Sequence, residues 1–383
     1  MTALIAEMAE KALRLHIPLS VQLDLTYRCN ERCIHCYLDH DDQGELTTAE
    51  IRGLLDQLAD AGVFFLTLSG GEILMRRDFF QILEHACKRK FCVRLKTNGV
   101  LIGDEETERL RATAVESVQV SVYSHVPEVH DAITKLPGSL RRSIEAIRRL
   151  RRHGIRVITA NVLMVQNATD YAGVQALAAQ LGAQFVLDPS ITPRMDGDRS
   201  ILNLNVDSAA LRAVFRNRAL VGNVAEFCAP PQGLDEDALD MLPCSAGHTA
   251  CYVSPYGDVY PCVQFPLPSG NVRRMKFIDI WRDSPQLREV RSITLRDMPS
   301  CFKCTHGATC TRCPGLAYLE GEMRGPSSQD CEKSLARTGI PGVNLETGKA
   351  CPQPLRSSHL VQIARTPPVV NVPLPTRPAQ SIL

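Results

Sequence analysis

The first half of the chain alternates short apolar runs with amphipathic helical segments. Six runs rich in β-branched and apolar residues predict strands at residues 19–25, 63–68, 92–96, 115–122, 156–163 and 184–187. The segments between them repeat apolar residues at helical spacing, and the first begins with the capping-box pair Thr47 and Glu50. Repeated βα units predict an α/β fold, in which six parallel strands curve into a partial (β/α)6 barrel of the TIM type.

The same pattern divides the chain into five parts. Residues 1–18 form a helical segment, 19–190 the barrel, 191–243 a linker with one helix, 244–350 a small cysteine-rich domain, and 351–383 a proline-rich tail that we expect to be disordered. The cysteine-rich part has few long hydrophobic runs, so we expect bound metal to stabilise it. Ligands of the barrel should gather at the C-terminal ends of its strands.

Composition and charge narrow the range of partners. The 383-residue chain has a formal net charge of +1, spread over helices of mixed sign, so we expect it to bind neither nucleic acid nor a membrane. No apolar run approaches the roughly 18 residues of a spanning helix and no signal peptide is visible, which predicts a cytoplasmic protein. Fifteen cysteines in a reducing compartment indicate metal ligands rather than disulfides.

Three cysteines follow the first predicted strand with the spacing Cys29-x3-Cys33-x2-Cys36. Three thiolates can hold three irons of a 4Fe-4S cluster and leave the fourth iron open to a small molecule. The spacing alone also allows a zinc site completed by His35 or His40, or three unrelated thiols.

The stretch CNERCIHC resembles the CxxxCxxC signature of the radical S-adenosylmethionine (SAM) superfamily. The resemblance implies that Cys29, Cys33 and Cys36 bind the cluster to which SAM attaches. In that family the residue before the third cysteine is commonly aromatic and lies against the adenine of SAM. Here that residue is His35.

Segments at the ends of the next three strands resemble the same superfamily. The sequence SGGE at residues 69–72 resembles its GGE motif, which implies that Gly70, Gly71 and Glu72 grip the methionine amino group of SAM. Asn98 and Ser121 resemble positions that line the pocket for SAM and substrate. Taken alone, Gly-Gly-Glu and Asn-Gly are more often ordinary turns.

Eight more cysteines lie between residues 244 and 331, enough for two four-iron clusters: Cys244, Cys251, Cys262, Cys301, Cys304, Cys310, Cys313 and Cys331. Spacing alone would also suit a pair of zinc ribbons. With Gly257 five residues before Cys262, the pattern resembles the SPASM domain, an auxiliary-cluster module of peptide-modifying radical SAM enzymes. It departs from that pattern in one place, because two residues rather than the usual three separate Cys310 from Cys313.

The resemblance implies a partition of these ligands. Cys244, Cys251, Cys262 and Cys313 would hold the cluster nearer the active site, and Cys301, Cys304, Cys310 and Cys331 would hold the outer one. The expected cofactors are therefore SAM and three 4Fe-4S clusters, one that binds SAM and two that are auxiliary. We interpret Cys87, Cys92, Cys228 and Cys351 as core or surface thiols.

The resemblance also implies an activity, the reductive cleavage of SAM to a 5'-deoxyadenosyl radical that removes a hydrogen atom from substrate. Auxiliary clusters favour net oxidation, so we expect a maturase that forms a thioether or carbon–carbon cross-link in a ribosomally made peptide. Residues 121–139 also resemble that group. Cofactor maturation in a quinone or haem pathway and a non-catalytic electron carrier remain alternatives. Anaerobic sulfatase maturation is disfavoured, because those enzymes carry an aspartate where Val263 follows Cys262.

The expected partners follow from this activity. The substrate is a precursor peptide, and an external electron donor of the flavodoxin or ferredoxin type reduces the cluster. Peptide maturases often carry a recognition domain ahead of the barrel, for which residues 1–18 are too short, so we expect a separate peptide-recognition protein or direct reading by the barrel. No general acid or base is assigned. Tyr123 and Asp188 lie near predicted strand ends without an assigned role.

Overall fold

One sheet of nine strands runs through the part of the chain that the computed structural model describes, which is residues 2–40, 44–196 and 198–350. The strands are β1 (Ser20–Asp24), β2 (Phe65–Ser69), β3 (Cys92–Thr97), β4 (Ser117–Ser121), β5 (Val157–Val162), β6 (Gln184–Asp188), β7 (Ala250–Val253), β8 (Asp258–Tyr260) and β9 (Gly270–Asn271). The first six confirm the six strands predicted from the apolar runs. The proline-rich tail and Cys351 lie outside the described residues.

The strand order is β6-β5-β4-β3-β2-β1-β7-β8-β9. Neighbours from β6 to β1 are all parallel, as expected for a partial barrel. Strand β7 also pairs in parallel with β1, with Ser20 opposite Ala250, and β8 and β9 follow in antiparallel order. The sequence analysis separated the cysteine-rich part from the barrel, whereas the structure joins its first strands to the barrel sheet.

Helices connect and cover the strands. They are α1 (Thr2–Arg14), α2 (Thr48–Asp60), α3 (Phe79–Lys88), α4 (Asp104–Thr113), α5 (Pro127–Thr134), α6 (Ser139–Arg152), α7 (Tyr171–Gln180), α8 (Ser208–Phe215), α9 (Arg218–Val221), α10 (Val224–Phe227), α11 (Phe277–Asp283), α12 (Pro285–Arg291), α13 (Pro299–Phe302), α14 (Pro314–Leu319) and α15 (Ser328–Thr338). The predicted capping box of α2 is confirmed, because Glu50 N donates to Thr47 Oγ1 and Thr47 N donates to Glu50 Oε2. No helix in this part of the chain is long and apolar enough to cross a membrane.

The linker is more helical than predicted. The single helix expected at 208–215 is α8, but α9 and α10 follow it, and short 3-10 turns occur at Ser200–Leu204 and Glu236–Ala238. Helices of four residues are too short to show a periodic apolar face, so their sequence carries no helical signal.

The main core lies between the barrel strands and the helices outside them. Alternate strand residues such as Val21, Leu66 and Val118 point outward to meet the apolar face of α2, α3 and α6, and are fully buried. The other face of each strand points into the barrel lumen, where partly exposed polar residues such as Gln22 and Gln119 occur. The barrel is therefore not filled with apolar side chains, and a cavity remains inside it.

Candidate active site and cluster sites

The first cysteine loop lies at the C-terminal mouth of the barrel, directly after β1. Cys29, Cys33 and Cys36 line one cavity of about 610 Å³. The loop is anchored from below by α5, since Arg32 N and Ile34 N each donate a 3.0 Å hydrogen bond to the carbonyl oxygens of Thr134 and Ile133. The fold thus holds the three thiols at one place through backbone hydrogen bonds.

The three thiols lie close enough to influence one another. Burial raises the pKa of Cys29 to about 12, with the carboxylates of Glu72 and Glu31 and the thiol of Cys36 adding to it. Burial also raises the pKa of Cys33, and Cys36 and Cys29 both contribute. Each thiolate would raise the pKa of its neighbours, and bound iron cations would stabilise all three as thiolates. This set therefore fits an iron cluster, and binding of iron must release protons.

The geometry gives less support to a zinc ion. Among the described residues, no three His, Cys, Asp or Glu side chains are grouped closely enough to share one metal ion. Zinc needs its ligands at about 2.0–2.3 Å from one point, whereas a four-iron cluster spreads its cysteines around a cube.

Gly70 and Gly71 lie at the end of β2 and touch the segment that leads into the cysteine loop. Gly71 N donates to Thr26 O at 2.7 Å, and Gly70 has a φ of +136°, a value that favours glycine. A Cβ at Gly71 would lie 2.3 Å from Arg28 O. The sequence predicted that these glycines leave room for a ligand. In the structure, the absence of a side chain also leaves room for the backbone of residues 26–28, which leads into the cysteine loop.

The side chain of Glu72 is not among the groups that line the cavity, and its expected grip on the methionine amino group of SAM, together with Gly70 and Gly71, stays a prediction. Glu72 is fully buried and accepts hydrogen bonds from Thr97 Oγ1 at 2.8 Å, from Asn98 N at 2.9 Å and from Leu74 N at 3.1 Å. Its carboxylate instead ties the ends of β2 and β3 together. Gly70 and Gly71 of the same segment do line the cavity.

The structure brings Asn98, Ser121 and His35 to the same cavity. Asn98 Nδ2 donates to Asn30 Oδ1 at 2.7 Å, inside the cysteine loop. His35 packs edge-to-face on Tyr123, with ring centroids 4.6 Å apart, and desolvation lowers its pKa to about 4. Its imidazole is therefore neutral at physiological pH and can lie against a nucleobase.

Sequence reasoning missed several polar groups of this cavity. Glu31, between the first two cysteines, is only 3% exposed, and Cys33 Sγ donates to its Oε2 at 3.4 Å. Gln22 lines the cavity from the middle of β1, Lys96 from the penultimate position of β3, and Asp188 from the end of β6. The sequence contained one signal for these residues. Polar residues recur at every second position of strands that the βα repeat places in a sheet covered by helices.

A second cavity of about 660 Å³ is lined by Cys244, Cys251, Cys262 and Cys313. These are the four cysteines that the sequence analysis grouped in one cluster. Burial raises the pKa of Cys313 to about 11, and the thiols of Cys244 and Cys262 add to the shift.

The remaining C-terminal cysteines lie elsewhere. Burial raises the pKa of Cys301 to about 12, with the thiol of Cys310 next in importance and that of Cys304 also contributing, so these three are neighbours. Cys331 follows Asp330, whose backbone oxygen accepts a weak hydrogen bond from Cys310 Sγ at 4.0 Å. The second predicted group is thus drawn together around the start of α15.

The thiols not assigned to metal bond to backbone oxygens. Cys87 Sγ donates to Thr113 O at 3.2 Å, and Cys228 Sγ donates to Phe215 O at 3.5 Å. Such contacts are typical of structural cysteines.

The two cavities share a wall. Residues that line both include Gln22, Asp188, Ser190, Val263 and Gln264. A molecule in the barrel cavity therefore lies next to the cavity of Cys244, Cys251, Cys262 and Cys313.

Two family models match these two regions. The radical SAM superfamily model covers residues 23–174, and the SPASM model, an iron-sulfur cluster-binding domain, covers residues 244–314. The chain carries a radical SAM domain and a SPASM domain. Together these domains indicate SAM and iron-sulfur clusters as its cofactors.

Characterised relatives of this radical SAM enzyme span most of its length. It is 28% identical to the AdoMet-dependent heme synthase of Methanosarcina barkeri, over 79% of this chain and 92% of the relative. It is 29% identical to the mycofactocin maturase MftC of Mycobacterium tuberculosis, over 84% and 86%. The crystal structure of Streptococcus suis SuiB bound to precursor peptide SuiA superposes with a TM-score of 0.68, covering 84% and 78%, at 17% identity. At that identity the likeness shows the fold alone.

Proposed function

We propose that this enzyme is a maturase of ribosomally made peptides, which uses SAM-derived radical chemistry to form a thioether or carbon–carbon cross-link in a precursor peptide. The observation that carries the proposal is the convergence of Cys29, Cys33 and Cys36 with Gly70 and Gly71 in one cavity at the barrel mouth. The similarity to mycofactocin maturase MftC supports a maturation reaction, and the fold shared with SuiB supports a peptide substrate.

The proposed roles follow from position. Cys29, Cys33 and Cys36 hold the first 4Fe-4S cluster, which together with SAM supplies the 5'-deoxyadenosyl radical when bound. The backbone of Gly70 and Gly71 accepts hydrogen bonds from the methionine amino group. Asn98 and Ser121 line the opposite wall, and the neutral ring of His35 lies against the adenine.

The cysteines of the SPASM region hold two auxiliary clusters, which makes three 4Fe-4S clusters in all. Cys244, Cys251, Cys262 and Cys313 form the nearer site, and Cys301, Cys304, Cys310 and Cys331 form the outer one. The wall shared by the two cavities supports an oxidative outcome, because formation of a cross-link removes two electrons and two protons from the peptide. One electron and one proton would leave together as a hydrogen atom to the SAM-derived radical. The second electron would pass to a cluster held by Cys244, Cys251, Cys262 and Cys313, and the second proton would pass to solvent.

The proposal includes further partners. An electron donor of the flavodoxin or ferredoxin type delivers the reducing electron, and a separate recognition protein presents the precursor peptide. Eleven cysteines that must act as thiolate ligands favour a reducing compartment, and we place the enzyme in the cytoplasm.

Anaerobic reconstitution followed by an assay for 5'-deoxyadenosine under strong reductant tests the radical chemistry. We expect SAM cleavage by the unmodified enzyme, loss of cleavage in Cys33→Ala with folding retained, and normal cleavage in the control Cys228→Ala. Zinc in place of iron and sulfide, or intact SAM under strong reductant, would contradict the proposal. Coexpression with short reading frames that neighbour the gene then tests the substrate, since each cross-link removes two hydrogen masses from the peptide.

Cofactor maturation is the second candidate, because the heme synthase relative matches over nearly its whole length. Incubation of the reconstituted enzyme with tetrapyrrole precursors distinguishes the two, since haem would form only in this case. Sulfatase maturation has less support, because Val263 rather than a carboxylate lines the cavity after Cys262.

A further inference from the structure

We propose that Lys96 binds a carboxylate group of the substrate at the floor of the barrel cavity. This inference rests on the proposed function, because it assumes that a peptide enters the cavity. It assigns a chemical requirement to that peptide, which must present a carboxylate close to the residue that is modified.

The position of Lys96 in the barrel is the first observation. It is the penultimate residue of β3, and its partly exposed side chain points into the lumen, beneath the cysteine loop. It lines the cavity that holds Cys29, Cys33 and Cys36, and it also lines a smaller cavity of about 320 Å³ with Arg94, Glu116 and Arg156. The ammonium group thus belongs to the surface that a substrate would touch.

The second observation is the shortage of partners for this ammonium group. Lys96 Nζ donates to Gln22 Oε1 at 3.0 Å, which is a neutral acceptor. Within the described residues no carboxylate forms an ion pair with it. An ammonium group has three hydrogen-bond donors, so this contact leaves two of them for the cavity.

The nearest acidic groups are engaged elsewhere. Asp24 accepts hydrogen bonds from Gln22 Nε2 at 3.1 Å and from Tyr252 Oη at 3.0 Å. Asp188 accepts one from Ser190 N at 3.0 Å. Their charges, with that of Cys262, act on Lys96 through space without direct contact. Acidic groups at a distance therefore balance part of the positive charge of Lys96, but its ammonium group makes only one of three hydrogen bonds within the described residues.

A desolvated ammonium group with incomplete hydrogen bonding is energetically unfavourable, and this indicates that Lys96 binds an anionic ligand. A cation removed from water is unfavourable unless it is paired and hydrogen-bonded, and desolvation indeed lowers the pKa of Lys96. A carboxylate that enters the cavity would complete the missing hydrogen bonds and add a direct ion pair. The neutral polar groups of Gln119, Ser121 and Asn161 around the same cavity would compete little for that ion.

The experiment uses the reconstituted holoenzyme and, as probe, the precursor peptide encoded beside it. We compare Lys96→Met, which keeps the length of the side chain and removes its charge, with Lys88→Met, an exposed lysine on the outside of α3. Peptide affinity is measured for the free acid, for the C-terminal amide, and for peptides in which each Asp or Glu is made Asn or Gln. These arms distinguish a side-chain carboxylate from the chain terminus.

We expect Lys96→Met to weaken peptide binding roughly tenfold or more, and Lys88→Met to have no effect. Neutralising the peptide carboxylate that contacts Lys96 should weaken peptide binding to the unmodified enzyme by the same factor as Lys96→Met does. The same change in the peptide should not further weaken its binding to Lys96→Met. SAM binding by Lys96→Met is measured alongside, and the control Lys88→Met should leave both SAM binding and peptide-independent formation of 5'-deoxyadenosine unchanged.

Three results would overturn the inference. The first is peptide binding by Lys96→Met that equals that of the unmodified enzyme. The second is additivity between Lys96→Met and every carboxylate change in the peptide. The third is weakened SAM binding by Lys96→Met, which would assign Lys96 to SAM instead. Lys96→Gln, with iron content and thermal unfolding checked, replaces the first variant should that one fail to fold. Absence of SAM cleavage in the unmodified enzyme would refute the proposed function itself, a separate outcome.

Discussion

The two cysteine-rich regions of this enzyme are stabilised in different ways. The loop of Cys29, Cys33 and Cys36 stands on a barrel whose large core includes buried residues of α2, α3, α4, α6 and α7. The outer SPASM cysteines lie among short helices with a core of four residues, Ile293, Leu295, Met298 and Cys301. We therefore expect the barrel to hold its cysteine loop in place without metal, and the outer SPASM region to need bound metal to keep its fold.

The cysteines themselves show the same contrast. Cys301 is one of the four residues in the outer core, so the proposed metal ligand there is also a core residue. In the barrel, Cys33 only packs at the edge of a separate group that includes Tyr123 and Met164. Loss of metal should therefore remove far more of the packing in the C-terminal region.

Removal of metal by anaerobic chelation gives the largest expected effect. Residues 299–338 should lose protection from amide hydrogen exchange, while β1 to β6 keep theirs, because the barrel strands are held by their own ladders and core. Hydrogen-exchange mass spectrometry of the holo and apo forms measures this directly. Equal loss of protection in both regions, or none in residues 299–338, would contradict the comparison.

One added methyl group at Gly71 should disrupt the backbone segment before Cys29, whose fold we expect chelation to leave intact. In Gly71→Ala the new Cβ would lie 2.3 Å from Arg28 O and 2.7 Å from Tyr27 O, so the segment before Cys29 must move. Overpacking of this kind costs about 1–3 kcal/mol. We expect a lower free energy of unfolding in denaturant titrations and loss of the SAM-binding cluster, seen as reduced iron content.

Gly53→Ala is the matched control for this substitution. Gly53 lies in α2 with nothing within 4 Å of an added Cβ, so alanine should stabilise the protein by about 0.5–1 kcal/mol. Similar losses in both variants would show that Gly71 has no special contact with the cysteine loop.

The smallest expected effect concerns Asp24, at the junction of β1 with β7. Burial raises its pKa from 3.8 to about 6, and hydrogen bonds from Gln22 and Tyr252 only partly oppose this. The folded state therefore binds this proton more tightly than the unfolded state. The favourable contribution is complete below pH 3.8 and is lost as the pH rises towards about 6.

Asp24→Asn should remove this dependence. Between pH 4 and pH 6 the free energy of unfolding of the variant should improve relative to the unmodified enzyme, and the difference should be constant above that range. Denaturant titrations across this pH range measure it, with Asp104→Asn, an exposed acid, as the control. A difference that is independent of pH would show that Asp24 has an ordinary pKa.

Much of the candidate site was predictable because its signals are local. The spacing of Cys29, Cys33 and Cys36, the glycine pair after β2 and the capping box of α2 are patterns a few residues long. The inward direction of Glu72 was not predictable. A carboxylate after a Gly-Gly pair suits an ammonium ligand equally well, and its hydrogen bonds from Thr97 and Asn98 come from residues more than twenty positions later in the chain.

Local periodicity thus determined the six barrel strands and the positions of most long helices, and the spacing of the cysteines located the two groups of candidate metal ligands. Tertiary structure alone decided that β7 pairs with β1, that Gly71 touches the segment before Cys29, and that Lys96 meets Gln22 inside the lumen. The physical reason is range. Side-chain periodicity records which face of one element is buried, whereas these contacts join residues far apart in the chain, through edges and faces left open once each element has formed.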